Sequence, residues 1–153
     1  MTVMIRPHDP ASPQALACLR AFFADLDAAF PDGFDPGPVA GWGLDDLRPP
    51  GGLFLIAEGG TEALGCVGLR RHDPATAEVK RLWVRGDQRG TGLARHLMAR
   101  VEDGARAGGC TRLVLDTSRH LPAAVAFYRR AGWAEIARYN DNAYAHHFFA
   151  RAL

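Results

Sequence analysis

Gln88 to Leu97 reads QRGTGLARHL, with two glycines between two arginines and the apolar spacing of a helix starting at once. Gly90 and Gly92 lack Cβ atoms, so the backbone there can bring its N–H groups close to a ligand oxygen. The first turn of a helix carries unsatisfied N–H donors and roughly half a positive charge. Arg89 and Arg95 add mobile cations. A phosphate or pyrophosphate is the group such a site binds best. The same residues also suit an ordinary strand-to-helix turn that uses glycine for geometry alone.

Two nucleotide readings compete here. The GxxxxGK[ST] loop of nucleoside triphosphatases is absent from the sequence. A dinucleotide site would use Gly90-x-Gly92 after a strand, with Asp116 ending the next strand. Its third glycine falls on Arg95, where close helix–strand packing leaves no room for a side chain. Hairpins precede the motif and only a short chain follows it, which does not fit a six-stranded doubly wound sheet. His146 and His147 are adjacent, so on a strand they face opposite sides and cannot chelate one metal together. No His-Glu or Cys pairing completes a zinc set, and no metal is expected.

The elements that must carry the loop follow from periodicity. Residues 2–6 alternate as a short strand. SPQALACLRAFFADLDAAF opens with Ser12 as N-cap and Pro13 at the first helical position. Leu16, Leu19, Phe23, Leu26 and Phe30 then recur at helical spacing. PDGFDPGPVAGWG is a long Pro/Gly-rich loop, and long loops in small domains often carry function. LFLIAE, a Gly-Gly turn and ALGCVGLRR predict an antiparallel hairpin, and AEVKRLWV another strand. The helix after the glycine loop shows Leu93, Leu97, Val101 and Ala105 on one stripe and ends near Gly108-Gly109. TRLVLDTS predicts a strand, PAAVAFYRRA a short helix opened by Pro122 and stopped by Gly132, and WAEIARY and AHHFFARAL two closing strands. The expected fold is a single α/β (α+β) domain over residues 1–153, with helices flanking one mixed sheet.

Composition sets the class. The 153 residues are 48% hydrophobic and 23% charged, the balance of a globular domain able to bury a core. No apolar run approaches a membrane span, and the first residues show no secretory pattern. Cys18, Cys66 and Cys110 lie far apart without a CxxC, and read as reduced core thiols of a cytoplasmic protein, with a disulfide pair plus one free thiol as the alternative. The net charge of +1 conceals seven Asp against three Arg in residues 1–50, and ten Lys or Arg against five Asp or Glu in residues 70–112. The blocks are either two solvated faces or one end for an anion and one for a cation. Nucleic acid does not fit, because the basic half has no dense cationic cluster interleaved with aromatics.

AEVKRLWVRGDQRGTGLARHLM followed by DTSRHLPAAVAFYRRAGW resembles the GCN5-related N-acetyltransferase (GNAT) superfamily. Its acyl-CoA motif, Q/R-x-x-G-x-G/A, matches Arg89-Gly-Thr-Gly92-Leu-Ala94. The later A-x-x-x-Y-x-x-x-G-aromatic pattern matches Ala124, Tyr128, Gly132 and Trp133. The ending YNDNAYAHHFFARAL is similar to that of bacterial, small-acceptor members. The resemblance runs from about Leu53 onward, and earlier residues match in layout.

The resemblance implies a mostly antiparallel mixed sheet of six to seven strands. It implies acetyl-CoA as co-substrate and an amine of a small molecule or peptide as acceptor, without nucleic acid or membrane. It leaves room for a homodimer. Leu82, Trp83 and Val84 would offer backbone groups to the pantetheine arm. Arg89, Gly90, Thr91, Gly92, Leu93, Ala94 and Arg95 would hold the pyrophosphate, with Arg130 near the adenosine phosphates. Tyr128 matches the proton donor to the departing sulfur, and Glu78 a strand-start general base. Related members usually read Asp-Thr-Asn where this chain has Asp116-Thr117-Ser118, so a serine hydroxyl stands where an amide would contact cofactor or acceptor. The aspartates of the first helix and following loop (Asp25, Asp27, Asp32, Asp35, Asp45, Asp46) lie where the superfamily builds its acceptor wall, which points to a cationic acceptor.

The chemistry sets demands on these residues. An ammonium of pKa ~10.4 is neutral in about 4 parts in ten thousand at pH 7, a cost near ~4.6 kcal/mol. A carboxylate such as Glu78 can make that deprotonation part of the path, or it can simply pair with a neighbouring Arg or Lys on the sheet. A tyrosine of pKa ~10 protonating a thiolate of ~8.5 works uphill by about 2 kcal/mol, so Tyr128 acts mostly by hydrogen bonding as charge develops. Trp42, Phe30, Tyr139, Asn142 and Tyr144 are candidates to line an acceptor pocket or to pack as core. A non-catalytic acyl-CoA-binding domain of the same fold is the alternative to an enzyme.

Overall fold

The computed structural model describes residues 2–153. Strand β1 (Val3–Pro7) leads into helix α1 (Pro13–Ala29), then a long irregular stretch with two 3-10 turns, at Val39–Gly41 and Leu44–Leu47. Strands β2 (Gly52–Gly59), β3 (Glu62–Asp73) and β4 (Thr76–Val84) follow as a meander. The glycine loop then opens α2 (Leu93–Ala107), and β5 (Arg112–Thr117), α3 (Pro122–Arg130), β6 (Ala134–Ile136) and β7 (His147–Ala152) complete the chain. All seven strands join one sheet in the order β1-β2-β3-β4-β5-β7-β6, antiparallel except for β4 beside β5. This is the mixed, mostly antiparallel sheet expected from the sequence.

The sheet is covered on both faces because its central strands are apolar on both. Phe54 and Ile56 of β2 join α1 in one core cluster, while the alternating Leu55 and Ala57 join α2 and α3 in the other. Period-two alternation thus becomes two cores, one per face. Ser12 starts α1 as its neighbours require: its Oγ accepts the Ala15 N–H at 3.1 Å, and Pro13 sits where no intrahelical donor is needed. The free cysteines Cys18, Cys66 and Cys110 are buried. No helix among the described residues is long and apolar enough to cross a membrane.

The C-terminal strands are shorter than periodicity suggests. WAEIARY contributes only Ala134–Ile136, and the last strand starts at His147 rather than Ala145. Polar side chains divert the backbone between them. Arg138 donates to the carbonyls of Asn140, Asn142 and Ala145, and the Asn140 and Asn142 amide oxygens accept the N–H groups of Asn142 and Tyr144. Such local bonds compete with ladder formation.

The pairing of β4 with β5 positions the site. The two strands are joined only from Thr76↔Arg112 to Glu78↔Val114, yet β4 runs on to Val84 and β5 to Thr117. Beyond Glu78 they part. Their facing edges there make no ladder with each other, which leaves backbone donors and acceptors along a wedge-shaped opening at the carboxyl ends of two parallel strands. That is where α/β sheets receive ligands.

Candidate active site

Two cavities occupy the wedge. One, of about 580 Å³, is bordered by Leu82, Trp83 and Val84 of β4, by the glycine loop, and by the first residues of α3. The other, of about 360 Å³, lies toward β5 and is bordered by Val79 to Leu82, by Leu115 to Ser118, and by aromatic residues of α1 and two irregular segments. Tyr128 belongs to the wall of both.

The first cavity gathers most of the sequence-predicted cofactor residues. Arg89, Gly90, Gly92, Ala94, Arg95 and Arg130 all line it. Gly90 and Gly92 have φ of 80° and 86°, a region that disfavours side chains, and an added Cβ at either would meet nothing within 4 Å. The loop therefore needs glycine for its shape, and that shape leaves open space beside the N-terminus of α2. Gly92 is the N-cap and has no side chain to occupy the first-turn N–H groups. Thr91 and Leu93 serve the loop from within: the Thr91 hydroxyl donates to the Gln88 carbonyl at 2.6 Å, and Leu93 is buried in the core. Asp25, expected from the resemblance in an acceptor wall, stands at the glycine loop instead: its Oδ2 accepts from Trp83 Nε1 at 3.0 Å and from Arg89 at 3.1 Å. It ties α1 to the loop.

The Tyr128 ring is 6% exposed and packs among Phe127, Trp133 and Phe149. Burial first, and then the Asp116 carboxylate, push its pKa well above that of an ordinary phenol. The hydroxyl therefore stays protonated through the accessible pH range, and full proton transfer is harder than for free tyrosine. What the geometry favours is a hydrogen bond donated into the wedge.

Glu78 is placed differently. It is 1% exposed, at the vertex where β4 and β5 part, and it borders neither of the two larger cavities. One carboxylate oxygen accepts from Arg70 Nε at 2.7 Å and the other from the Tyr139 hydroxyl at 2.6 Å. The sheet ion pair that the sequence left open beside the base reading is present. Burial and the Glu78 bond raise the Tyr139 pKa, so that bond persists. Asp116 of β5 does border a cavity with Tyr128, and its carboxylate is held by the amides of Asn140 at 2.6 Å and Asn142 at 3.4 Å.

Ser118 also lines the β5-side cavity, but its hydroxyl works mainly within its own loop. It accepts the His120 N–H at 3.1 Å and lies 3.3 Å from His146 Nδ1, which also accepts the Arg119 N–H. Local loss of solvation, followed by nearby Arg119 and His120, lowers the pKa of the exposed His146. Of the acceptor candidates, Phe30, Asn142 and Tyr144 line the cavity, Trp42 is buried in the α1 core, and Tyr139 serves Glu78.

The acidic block does not collect around this cavity. Asp9 and Asp45 pair with Arg48, Asp46 with Arg70 and Asp25 with Arg89, while Asp27 accepts the Phe34 N–H. Only Asp35 of that block borders it, whereas Lys80 and Arg81 of β4 do so from the basic block. Charge counted along the chain is neutralised by arginines that folding brings alongside, so it does not forecast the sign of a pocket.

A family model described as the acetyltransferase (GNAT) family matches residues 19–133. The IAA acetyltransferase of Azospirillum brasilense is 34% identical over 93 residues, covering 60% of this chain and 61% of that relative. The chain thus spans less than two thirds of that relative's length. A GNAT-family acetyltransferase structure from Staphylococcus aureus superposes with a TM-score of 0.83 at 18% identity, covering 99% of each chain. One from Elizabethkingia anophelis, solved with acetyl-CoA bound, gives 0.69 at 18% identity over 99% of this chain and 98% of that one. The solved structures share the fold, and the family match takes in α2, β5 and α3 together with the wedge between them. This chain belongs to the acetyltransferase (GNAT) family.

Proposed function

We propose that the protein is an acetyl-CoA-dependent N-acetyltransferase acting on a primary amine by direct attack on the thioester. The observation that carries the reading is the shared wall. Tyr128 borders both a glycine-loop cavity suited to a phosphate-bearing thioester and a second cavity suited to an acceptor. A ligand in each would meet beside one hydroxyl.

The residues fit the co-substrate. Gly90, Gly92 and the α2 N-terminus would receive the pyrophosphate, with Arg89, Arg95 and Arg130 as cations around it. The unpaired edge of β4 would offer backbone groups to the pantetheine arm. When bound, acetyl-CoA supplies an activated acyl group. Asp116, rather than the enclosed Glu78, is the carboxylate we assign to the amine. It lowers the ~4.6 kcal/mol cost of reaching the neutral nucleophile by accepting or relaying the first proton to solvent. The N–C bond forms as the C–S bond breaks. The amine's second proton ends on the sulfur, and the Tyr128 hydroxyl hydrogen-bonds that sulfur as charge develops.

Thermal unfolding tests the cofactor half. Acetyl-CoA at a hundred times its Kd stabilises the native state by about 2.7 kcal/mol, a rise of several degrees in Tm. Gly92→Glu places a side chain at a left-handed φ and a negative charge in the cradle, and abolishes the rise. An unchanged rise in this variant would reduce the loop to a structural turn.

A further inference from the structure

Arg81 is the only non-glycine residue with a positive φ, 61°, among the described residues. It lies in β4 where the register against β3 slips between Cys66↔Trp83 and Gly68↔Lys80. A bulge of this kind re-aims a side chain, and a residue of this type held there is strained. The strain places a cation in the wall of the β5-side cavity, and of a smaller adjoining one of about 170 Å³ that Arg81 and Lys80 also border.

The guanidinium has only neutral partners. Its Nη2 donates to the Trp42 carbonyl at 2.9 Å, and its carbon lies 4.9 Å from the Phe23 ring centre. Burial is the main influence on it and lowers its pKa, against the weaker opposing pull of the Asp116 and Glu78 carboxylates, neither of which is bonded to it. The neighbouring arginines are arranged otherwise: Arg48 pairs with Asp9 and Asp45, and Arg70 with Glu78 and Asp46. A half-buried cation left without an anion beside a cavity is costly unless a ligand supplies the anion.

The rest of the cavity defines what carries that anion. Phe30, Phe34 and Tyr144 form a ring cluster with centroids 4.8 to 5.9 Å apart, and all three line the cavity. Asp116 and Tyr128 lie in the same wall. The cavity therefore presents a cation, an anion and an aromatic surface together.

We infer that the acceptor is an amino acid with an aromatic side chain, its carboxylate on Arg81, its amino group toward Asp116 and Tyr128, and its ring against Phe30, Phe34 and Tyr144. This rests on the acetyltransferase reading and narrows its acceptor. It also reverses the cationic preference that the acidic N-terminal block suggests. The reaction gives the N-acetyl amino acid and free CoA thiol, with one proton released to solvent.

Steady-state release of CoA thiol over four acceptors tests it: L-phenylalanine, 2-phenylethylamine (ring without carboxylate), L-alanine (carboxylate without ring) and spermidine. L-phenylalanine gives the highest kcat/KM, at least tenfold above each of the others. Arg81→Met lowers kcat/KM for L-phenylalanine at least tenfold, mostly through KM, and leaves 2-phenylethylamine unchanged. Arg81→Lys recovers part of the loss. A retained acetyl-CoA rise in Tm shows that each variant is folded; if Arg81→Met lacks it, Arg81→Lys and the wild-type panel decide. A preference for 2-phenylethylamine or spermidine overturns the inference while leaving an acetyltransferase. Equal loss on both aromatic acceptors in folded Arg81→Met assigns Arg81 to structure and also overturns it. No thiol release with any amine overturns the acetyltransferase reading itself.

Discussion

Glu78 and Asp116 stand on adjacent parallel strands within a few residues of where those strands part, and their surroundings divide their work. Both Glu78 oxygens are committed, one to Arg70 and one to Tyr139, so it couples β3, β4 and the segment before β7. Removing a charged hydrogen-bond partner from a buried site costs about 1.5–3 kcal/mol. Glu78→Gln therefore lowers Tm by several degrees and leaves the shape of the pH–rate profile unchanged. If Glu78 were the general base, the variant would instead recover activity as pH rises toward the amine's own pKa. Thermal melts and a pH–rate profile on the same preparation separate the two. The sequence gives Glu78 and Tyr128 by motif and leaves the work of Glu78 open, because burial and the Tyr139 contact arise from residues 61 positions apart. Arg81 was unreadable for another reason: nothing in KRLWV announces a positive φ.

Helix α1 meets the glycine loop through Asp25, which holds both Trp83 of β4 and Arg89. This contact fixes the loop at the expense of a negative charge beside the proposed pyrophosphate site. Arg89 and Asp25 are both well exposed, and exposed pairs are worth about 0–1 kcal/mol. Asp25→Asn keeps an oxygen for Trp83 and frees Arg89, so acetyl-CoA binding tightens by up to about fivefold in calorimetric titration. Weaker binding would show instead that Asp25 positions Arg89 productively. Elements with strong periodicity, such as α1 with its Ser12-Pro13 start and α2 with its glycine ends, were legible in full. The last two strands were not, since Arg138, Asn140 and Asn142 redirect the backbone between them by side-chain bonds that no hydrophobic period records.

Across the whole molecule, one interruption organises the rest. A seven-stranded sheet sealed on both faces would have no place for a ligand, and the parting of β4 from β5 after Glu78 makes one at the domain's centre. Apolar cores from α1 on one face and α2 with α3 on the other hold the wedge open from both sides. The glycine loop closes one end and the aromatic cluster the other, with Tyr128 between them. That meeting point was legible from the motif pair, whereas the wall of the β5-side cavity was legible only in part: Phe30, Asn142 and Tyr144 stood out in the sequence, while Phe34 and Arg81 did not. The turnover of Tyr128→Phe tests the arrangement most directly, because the ring and its packing against Trp133 and Phe149 remain while the hydroxyl is lost. With a good acceptor at saturation, kcat should fall roughly ten- to a thousandfold while acetyl-CoA affinity changes little. Full kcat in this variant would contradict the account, and the charge on the departing sulfur would then have to be stabilised by water or another residue.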